Sequence, residues 1–181
     1  MGGINARECG LNINNCHNSG NITHIGTHRS NFYIAGISGL NAPSIVGSTN
    51  SGDITICGTA EDPLILDNQC IITGISGTVS GVLKNCSNSG DITVDYINQT
   101  SDNNTNVFGI VTTASCSTEK IYNCDNSGNI SIAETGAITK AGGNVYVGGC
   151  LGSVSSQLVE GCDNTGNITL GSKSPLRATY I

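Results

Sequence analysis

One eight-residue pattern recurs five times along this chain. It reads Cys16-His17-Asn18-Ser19-Gly20-Asn21-Ile22-Thr23, then Ser48-Thr49-Asn50-Ser51-Gly52-Asp53-Ile54-Thr55, then Cys86-Ser87-Asn88-Ser89-Gly90-Asp91-Ile92-Thr93. The fourth copy is Cys124-Asp125-Asn126-Ser127-Gly128-Asn129-Ile130-Ser131, and the fifth is Cys162-Asp163-Asn164-Thr165-Gly166-Asn167-Ile168-Thr169. Gly20, Gly52, Gly90, Gly128 and Gly166 stand 32, 38, 38 and 38 residues apart. A chain that repeats its own choices at such a period stacks copies of one supersecondary unit, because a single unit cannot bury its own apolar face.

The register extends beyond the shared octet. Three residues before each Cys or Ser lies an aliphatic side chain: Ile13, Ile45, Leu83, Ile121 and Val159. Upstream, Tyr33-Ile34-Ala35-Gly36-Ile37-Ser38-Gly39 matches Ile71-Ile72-Thr73-Gly74-Ile75-Ser76-Gly77, and the later copies around Phe108 and Val145 keep the character but slip the spacing. Each repeat thus holds three short β-like pieces, seen in the second copy at 33–37, 45–48 and 53–56; the last alternates as Ile-Thr-Ile. No sustained 3.6-residue pattern appears, and glycine and β-branched residues argue against helix. The expectation is a single all-β domain, a parallel β-solenoid of about five coils with three strands per coil. It is expected to be right-handed, as parallel crossovers nearly always are. The repeat units run roughly 10–26, 27–58, 59–96, 97–134 and 135–172, with 1–10 starting or capping the stack and 173–181 ending it. A polar segment at 97–106 and a less polar one at 134–144, which carries three glycines, are expected to project as loops from one corner.

In such a stack, like residues fall in file at the inter-strand spacing of about 4.8 Å. Ile22, Ile54, Ile92, Ile130 and Ile168 form one inward column. Asn18, Asn50, Asn88, Asn126 and Asn164 form another, since a carboxamide carries both donors and an acceptor and can bond its own neighbours along the axis. The five shared glycines are expected at turn positions with positive φ. Cys16, Cys86, Cys124 and Cys162, interrupted by Ser48, form a fourth column. In-register strands hold equivalent Cβ atoms too far apart for the ~3.8 Å of a disulfide, so a row of small reduced thiols is expected. The remaining cysteines, Cys9, Cys57, Cys70, Cys116 and Cys150, share no repeat position and make no C-x-x-C, so no zinc site is expected.

Composition narrows the function. A net charge of −6 with seven Lys plus Arg argues against nucleic-acid binding and against a basic membrane patch. No apolar run reaches the length of a membrane span, and 37% hydrophobic with 11% charged residues is unlike a disordered chain. No signal peptide is visible at the N-terminus.

Candidate chemistry is sparse. His24 and His28 have H-x₃-H spacing near His17 and Cys16, but that spacing suits a helix and the segment is not helical; exposed end-of-coil histidines are expected. Asp53 and Asp91 hold one repeat position in adjacent copies, where Asn21, Asn129 and Asn167 stand elsewhere. Carboxylates about 5 Å apart fit a retaining glycosidase pair or a cation site; they equally fit solvated residues that begin a strand. Asp125 and Asp163 repeat the situation one strand earlier. Arg7, Arg29 and Arg177 fall outside the motif, which counts against polysaccharide-cleaving chemistry. Sequons stand at Asn21, Asn85, Asn98, Asn103, Asn129 and Asn167; those at Asn21, Asn129 and Asn167 follow from the repeat, and Asn98 and Asn103 lie in a segment expected to project. No catalytic, cofactor or metal residue is assigned.

The octets with their preceding asparagine, Asn85-Cys86-Ser87-Asn88-Ser89-Gly90-Asp91-Ile92 and Asn123-Cys124-Asp125-Asn126-Ser127-Gly128-Asn129-Ile130, together with Ala35-Gly36-Ile37-Ser38-Gly39, give the chain a resemblance to GLUG-motif repeat proteins. The resemblance spans most of 10–171; the glycine element degrades at Gly109-Ile110-Val111-Thr112. It implies a part of a larger bacterial surface or secreted protein, an adhesin or stalk, with no catalytic residues. The function expected is therefore a non-catalytic adhesion or structural module, binding glycans or cell-surface proteins through its loops and able to self-associate through its ends. The alternatives are a carbohydrate-active β-helix enzyme and a virion or phage-spike component.

Overall fold

The computed structural model describes residues 1–6, 10–26, 30–59, 61–62, 64–65, 69–95, 97–98, 104–116, 120–134, 144–156, 158–172 and 179–180. Among them the strands assemble into five sheets, every pairing parallel, and four of the sheets take a strand from successive repeats. The first sheet holds Phe32–Ala35, Cys70–Thr73, Thr105–Phe108, Val145–Gly148 and Thr179–Tyr180. The second holds Ser38–Ala42, Ser76–Val79, Val111–Ala114 and Leu151–Val154. The third is built on Ile13–Asn14, Ile45–Val46, Leu83–Asn88, Ile121–Asn126 and Val159–Glu160. The fourth holds Ile22–Ile25, Ile54–Cys57, Ile92–Asp95, Ile130–Glu134 and Ile168–Ser172. A small fifth sheet pairs Leu64–Ile65 with Ile97–Asn98.

The strands form where the sequence alternates. Ile54 and Ile56 are buried while Thr55 and Cys57 between and beyond them are half-buried, the period of two that a pleated strand imposes. The register is the repeat itself: Ile22 pairs with Ile54, Ile54 with Ile92, Ile92 with Ile130 and Ile130 with Ile168. The five isoleucines therefore stand in one file. Burial of each interior member contributes about 1.5–3 kcal/mol.

Four strand positions recur per repeat, not three. The unanticipated one is the second sheet. Its strands Ser-Gly-Leu-Asn-Ala, Ser-Gly-Thr-Val, Val-Thr-Thr-Ala and Leu-Gly-Ser-Val carry the small polar residues and glycines of turns. They are strands because their neighbours one repeat away supply the hydrogen bonds, a tertiary override of weak local propensity.

The interior is divided in two. Phe32, Ile34, Ile72 and Val107 of the first sheet pack with the isoleucines of the fourth. Ile37, Val79 and Val111, at and beside the second sheet, pack with Ile45, Leu83 and Ile121 of the third. Between the two clusters the asparagine column meets a second glycine column. A Cβ on Gly36, Gly74 or Gly109 would lie within 2.4 Å of the Cγ of Asn50, Asn88 or Asn126, respectively.

Each asparagine bonds the next. Asn18 Nδ2 donates to Asn50 Oδ1 at 2.7 Å, Asn50 to Asn88 at 2.7 Å, Asn88 to Asn126 at 2.7 Å and Asn126 to Asn164 at 2.8 Å. The same amide nitrogens donate to the carbonyls of Gly20, Gly52, Gly90, Gly128 and Gly166 at 2.7–2.9 Å. Asn50, Asn88 and Asn126 are 1% exposed, so these bonds satisfy amides that water cannot reach.

The expected positive φ at the shared glycines is corrected. None of Gly20, Gly52, Gly90, Gly128 or Gly166 has it; among repeat positions it falls one residue before the Cys column, at Asn15, Gly47, Asn85, Asn123 and Gly161, with φ between 52° and 61°. Asn and Gly are the residues that enter this region at least cost. The shared glycine answers a different need. A Cβ at Gly52, Gly90, Gly128 or Gly166 would stand 2.0–2.1 Å from the carbonyl oxygen of the glycine one repeat earlier.

Candidate functional site

Residues singled out in the sequence divide into those that hold the stack and those that face outward. The Cys column belongs to the first kind. Sγ of Cys16, Cys86, Cys124 and Cys162 each donates to the carbonyl two residues back, at 3.3–3.6 Å, and Ser48 Oγ makes the same bond to Val46 at 3.2 Å. Serine is therefore a functional equivalent here, not an interruption. Cys86 and Cys124 are buried, Cys16 and Cys162 half-buried, and all are free thiols.

The acidic residues are also occupied by the stack. Asp53 Oδ1 accepts the backbone N–H of Asp91 at 2.9 Å, and Asp91 Oδ1 accepts that of Asn129 at 2.8 Å. Asn21 and Asn129 do the same for Asp53 and Asn167, and Asp125 for Asp163. Aspartate and asparagine interchange at this position because the job needs only an acceptor oxygen.

The histidines do not converge. His17 Nδ1 lies 2.8 Å from Thr49 Oγ1, whereas His24 Nε2 lies 3.2 Å from the Gly26 carbonyl with its ring against Phe32. His28 lies outside the described residues, as do Cys9, Asn103 and residues 135–143 of the second segment expected to project. Among the described residues no cluster of His, Cys, Asp or Glu is arranged to hold a metal ion.

Among the described residues one outward feature is a groove of about 490 Å³ along the outer junction of the first and second sheets. Its walls come from Thr105–Phe108 and Val145–Gly148 on one side and Val111–Ala114 and Leu151–Val154 on the other. Glycine makes the room. A Cβ at Gly148 would meet the Phe108 ring at 2.6 Å, and one at Gly152 would meet it at 2.8 Å. Phe108 thus lies down as the floor, 6% exposed.

Above the floor stand neutral polar groups. Gln69, Asn104, Asn106, Thr113, Ser153 and Tyr146 line the groove, and among the described residues no lining side chain is charged. Strand alternation turns Tyr146 and Asn106 outward, and the two pair in register. Tyr146 Oη accepts from Asn144 Nδ2 at 3.1 Å, and Asn104 Oδ1 accepts the Asn144 N–H at 3.0 Å. The second of these bonds joins Asn104 to Asn144 across two neighbouring repeats at the groove's rim. Thr112 also lines it; its hydroxyl is buried without a hydrogen-bond partner among the described residues.

The sequence expectation placed binding in segments 97–106 and 134–144. Of these, Asn104, Asn106 and Asn144 belong to the groove or its rim, but Ile97–Asn98, Thr105, Asn106 and Glu134 are strand, not loop. Phe108, Thr112, Tyr146 and Ser153 were not anticipated. The usable signal was the Val-Tyr-Val alternation at 145–147, which forces one aromatic out of the core of a chain that has only seven Phe and Tyr.

No protein-family model matches the chain, and no match to it was found among curated proteins or solved structures.

Proposed function

We propose that the chain is a right-handed parallel β-solenoid of about five coils, acting as a non-catalytic surface adhesion or structural module whose groove holds a neutral glycan. Pairing of each strand with its counterpart one repeat on supports the solenoid, and right-handed crossover is the rule for parallel strands. The resemblance to GLUG-motif repeats supports a place on the surface of, or secreted from, a cell.

The observation that carries the binding role is the uncharged groove with an aromatic floor. A saccharide ring presents apolar C–H faces and a rim of hydroxyls. Phe108 and Tyr146 offer apolar surface to the former. The amides of Gln69, Asn104 and Asn106 and the hydroxyls of Thr113 and Ser153 offer donors and acceptors to the latter. The described lining residues offer no cation to the anion of a uronate or sulfated sugar, so a neutral glycan is the ligand proposed.

A glycan array probed with the whole chain is the test, followed by titration calorimetry on the best hit. Binding to neutral oligosaccharides is expected, with Tyr146→Ala or Asn106→Ala weakening it about tenfold, the loss of roughly 1.4 kcal/mol. No neutral glycan bound, or binding untouched by both substitutions, overturns the proposal. So does depolymerisation of a polysaccharide that stops in Asp53→Asn.

A further inference from the structure

In the repeat nearest the C-terminus, Cys162 of the thiol column packs against the same apolar cluster as a second cysteine, Cys150, that the repeat does not explain. Corresponding positions just after the corner glycines are Ile37, Ile75, Ile110 and Cys150, linked in series by backbone bonds Ile37 N to Ile75 O, Ile75 N to Ile110 O and Ile110 N to Cys150 O. A thiol has thus replaced an aliphatic side chain in the last of these repeats. Across the interior, Cys162 is the last of the thiol column. Cys150 and Cys162 pack against the same apolar cluster, and both are half-buried where Cys86 and Cys124 are buried. Cys150 Sγ lies 3.0 Å from the carbonyl oxygen of Asp163, the residue adjoining Cys162.

We propose that Cys162 and Cys150 are a redox pair, Cys162 being the nucleophile and Cys150 the resolving thiol, and that a small-molecule disulfide oxidises them to an intramolecular bond. The Cys162 thiolate attacks one sulfur of the oxidant, forming a mixed disulfide and expelling one thiolate. The Cys150 thiolate then attacks the Cys162 sulfur, forming the Cys150–Cys162 bond and expelling the second. The protein loses two protons and two electrons, and the oxidant becomes two thiols.

The surroundings divide the roles. The Cys124 thiol, hydrogen-bonded to Cys162, pulls the Cys162 pKa down to about 7, while burial pushes Cys150 up to about 11. The same contact holds the Cys124 thiol protonated, its pKa far raised. Cys124 is the neighbour of Cys162 in the thiol column, on strands that pair Ile121 with Val159 and Tyr122 with Glu160 in register, and the spacing of about 4.8 Å between such strands exceeds the ~3.8 Å between Cβ atoms that a disulfide requires. In an oxidising compartment the bond would staple the last repeat across its two packed sheets.

The whole chain, incubated with graded glutathione disulfide, quenched in acid and digested, is read by mass spectrometry under non-reducing conditions. The expected product is a Cys150–Cys162 cross-linked peptide, reversed by dithiothreitol and accompanied by a raised melting temperature. Cys150→Ser should stop at a glutathione adduct on Cys162, and Cys162→Ser should give neither product. In the reduced protein, iodoacetamide should label Cys162 before Cys150, its rate rising through a midpoint near pH 7. Pairing of Cys162 with Cys124, Cys9 or another chain, or labelling of Cys150 ahead of Cys162, overturns the assignment. None of these outcomes depends on whether the groove binds a glycan.

Discussion

Asn88 shows how much one side chain does in this molecule. Its Nδ2 donates to Gly90 and Asn126, and its Oδ1 accepts from Asn50. Asn88→Ala removes all three bonds and leaves partners stranded in a site 1% exposed. The expected cost is roughly 3–5 kcal/mol, since each buried group left unpaired costs about 1–3, and urea unfolding followed by circular dichroism measures it. The glycines two residues on divide by neighbourhood rather than by identity. Gly90→Ala places a Cβ 2.1 Å from the Gly52 oxygen and should cost more than about 3 kcal/mol. Gly20→Ala meets nothing closer than Asn18 Oδ1 at 3.8 Å and should change stability by less than about 0.5 kcal/mol. Equal effects of the two substitutions would show that close approach is not what selects glycine there.

At the scale of the element, the fourth sheet grades its own energetics from middle to end. Ile54, Ile92 and Ile130 are fully buried, while Ile168 is only partly covered because no described strand lies beyond it in that sheet. Ile92→Ala should therefore cost about 2–5 kcal/mol through lost transfer energy and a residual cavity. Ile168→Ala should cost about 1–2 kcal/mol, the fraction of transfer energy that partial burial leaves. Thermal unfolding of the two variants checks the order, and a reversed order would contradict the register. Short strands such as Leu151–Val154, with small residues and high exposure, persist by the same logic. Each gains its hydrogen bonds from the repeat before it, which local propensity would not supply.

At the scale of the whole molecule, two apolar compartments flank a polar seam. The seam is the asparagine column against the corner glycines, and it ties the third and fourth sheets to the junction of the first and second. On the outside of that same junction small residues leave the groove, floored by Phe108. Seam and groove are thus two sides of one corner: glycine lets the backbone approach the asparagines within and lets an aromatic ring lie flat without.

The period, the parallel β character, the isoleucine and asparagine columns and the small-thiol column were all legible in the residues. A repeated octet forces equivalent residues into equivalent places, whatever the exact path of the chain. The remaining features are set by distance between repeats rather than by order within one. Which glycine answers to φ and which to a neighbouring carbonyl, that short segments such as Ser76–Val79 pair as a fourth strand, that Asp53 caps a backbone N–H, and that Phe108 and Tyr146 share a groove all depend on contacts 32 to 40 residues apart. Local pattern carries no information about atoms so far away along the chain; only the stacking brings them within a few ångströms and decides what each residue is for.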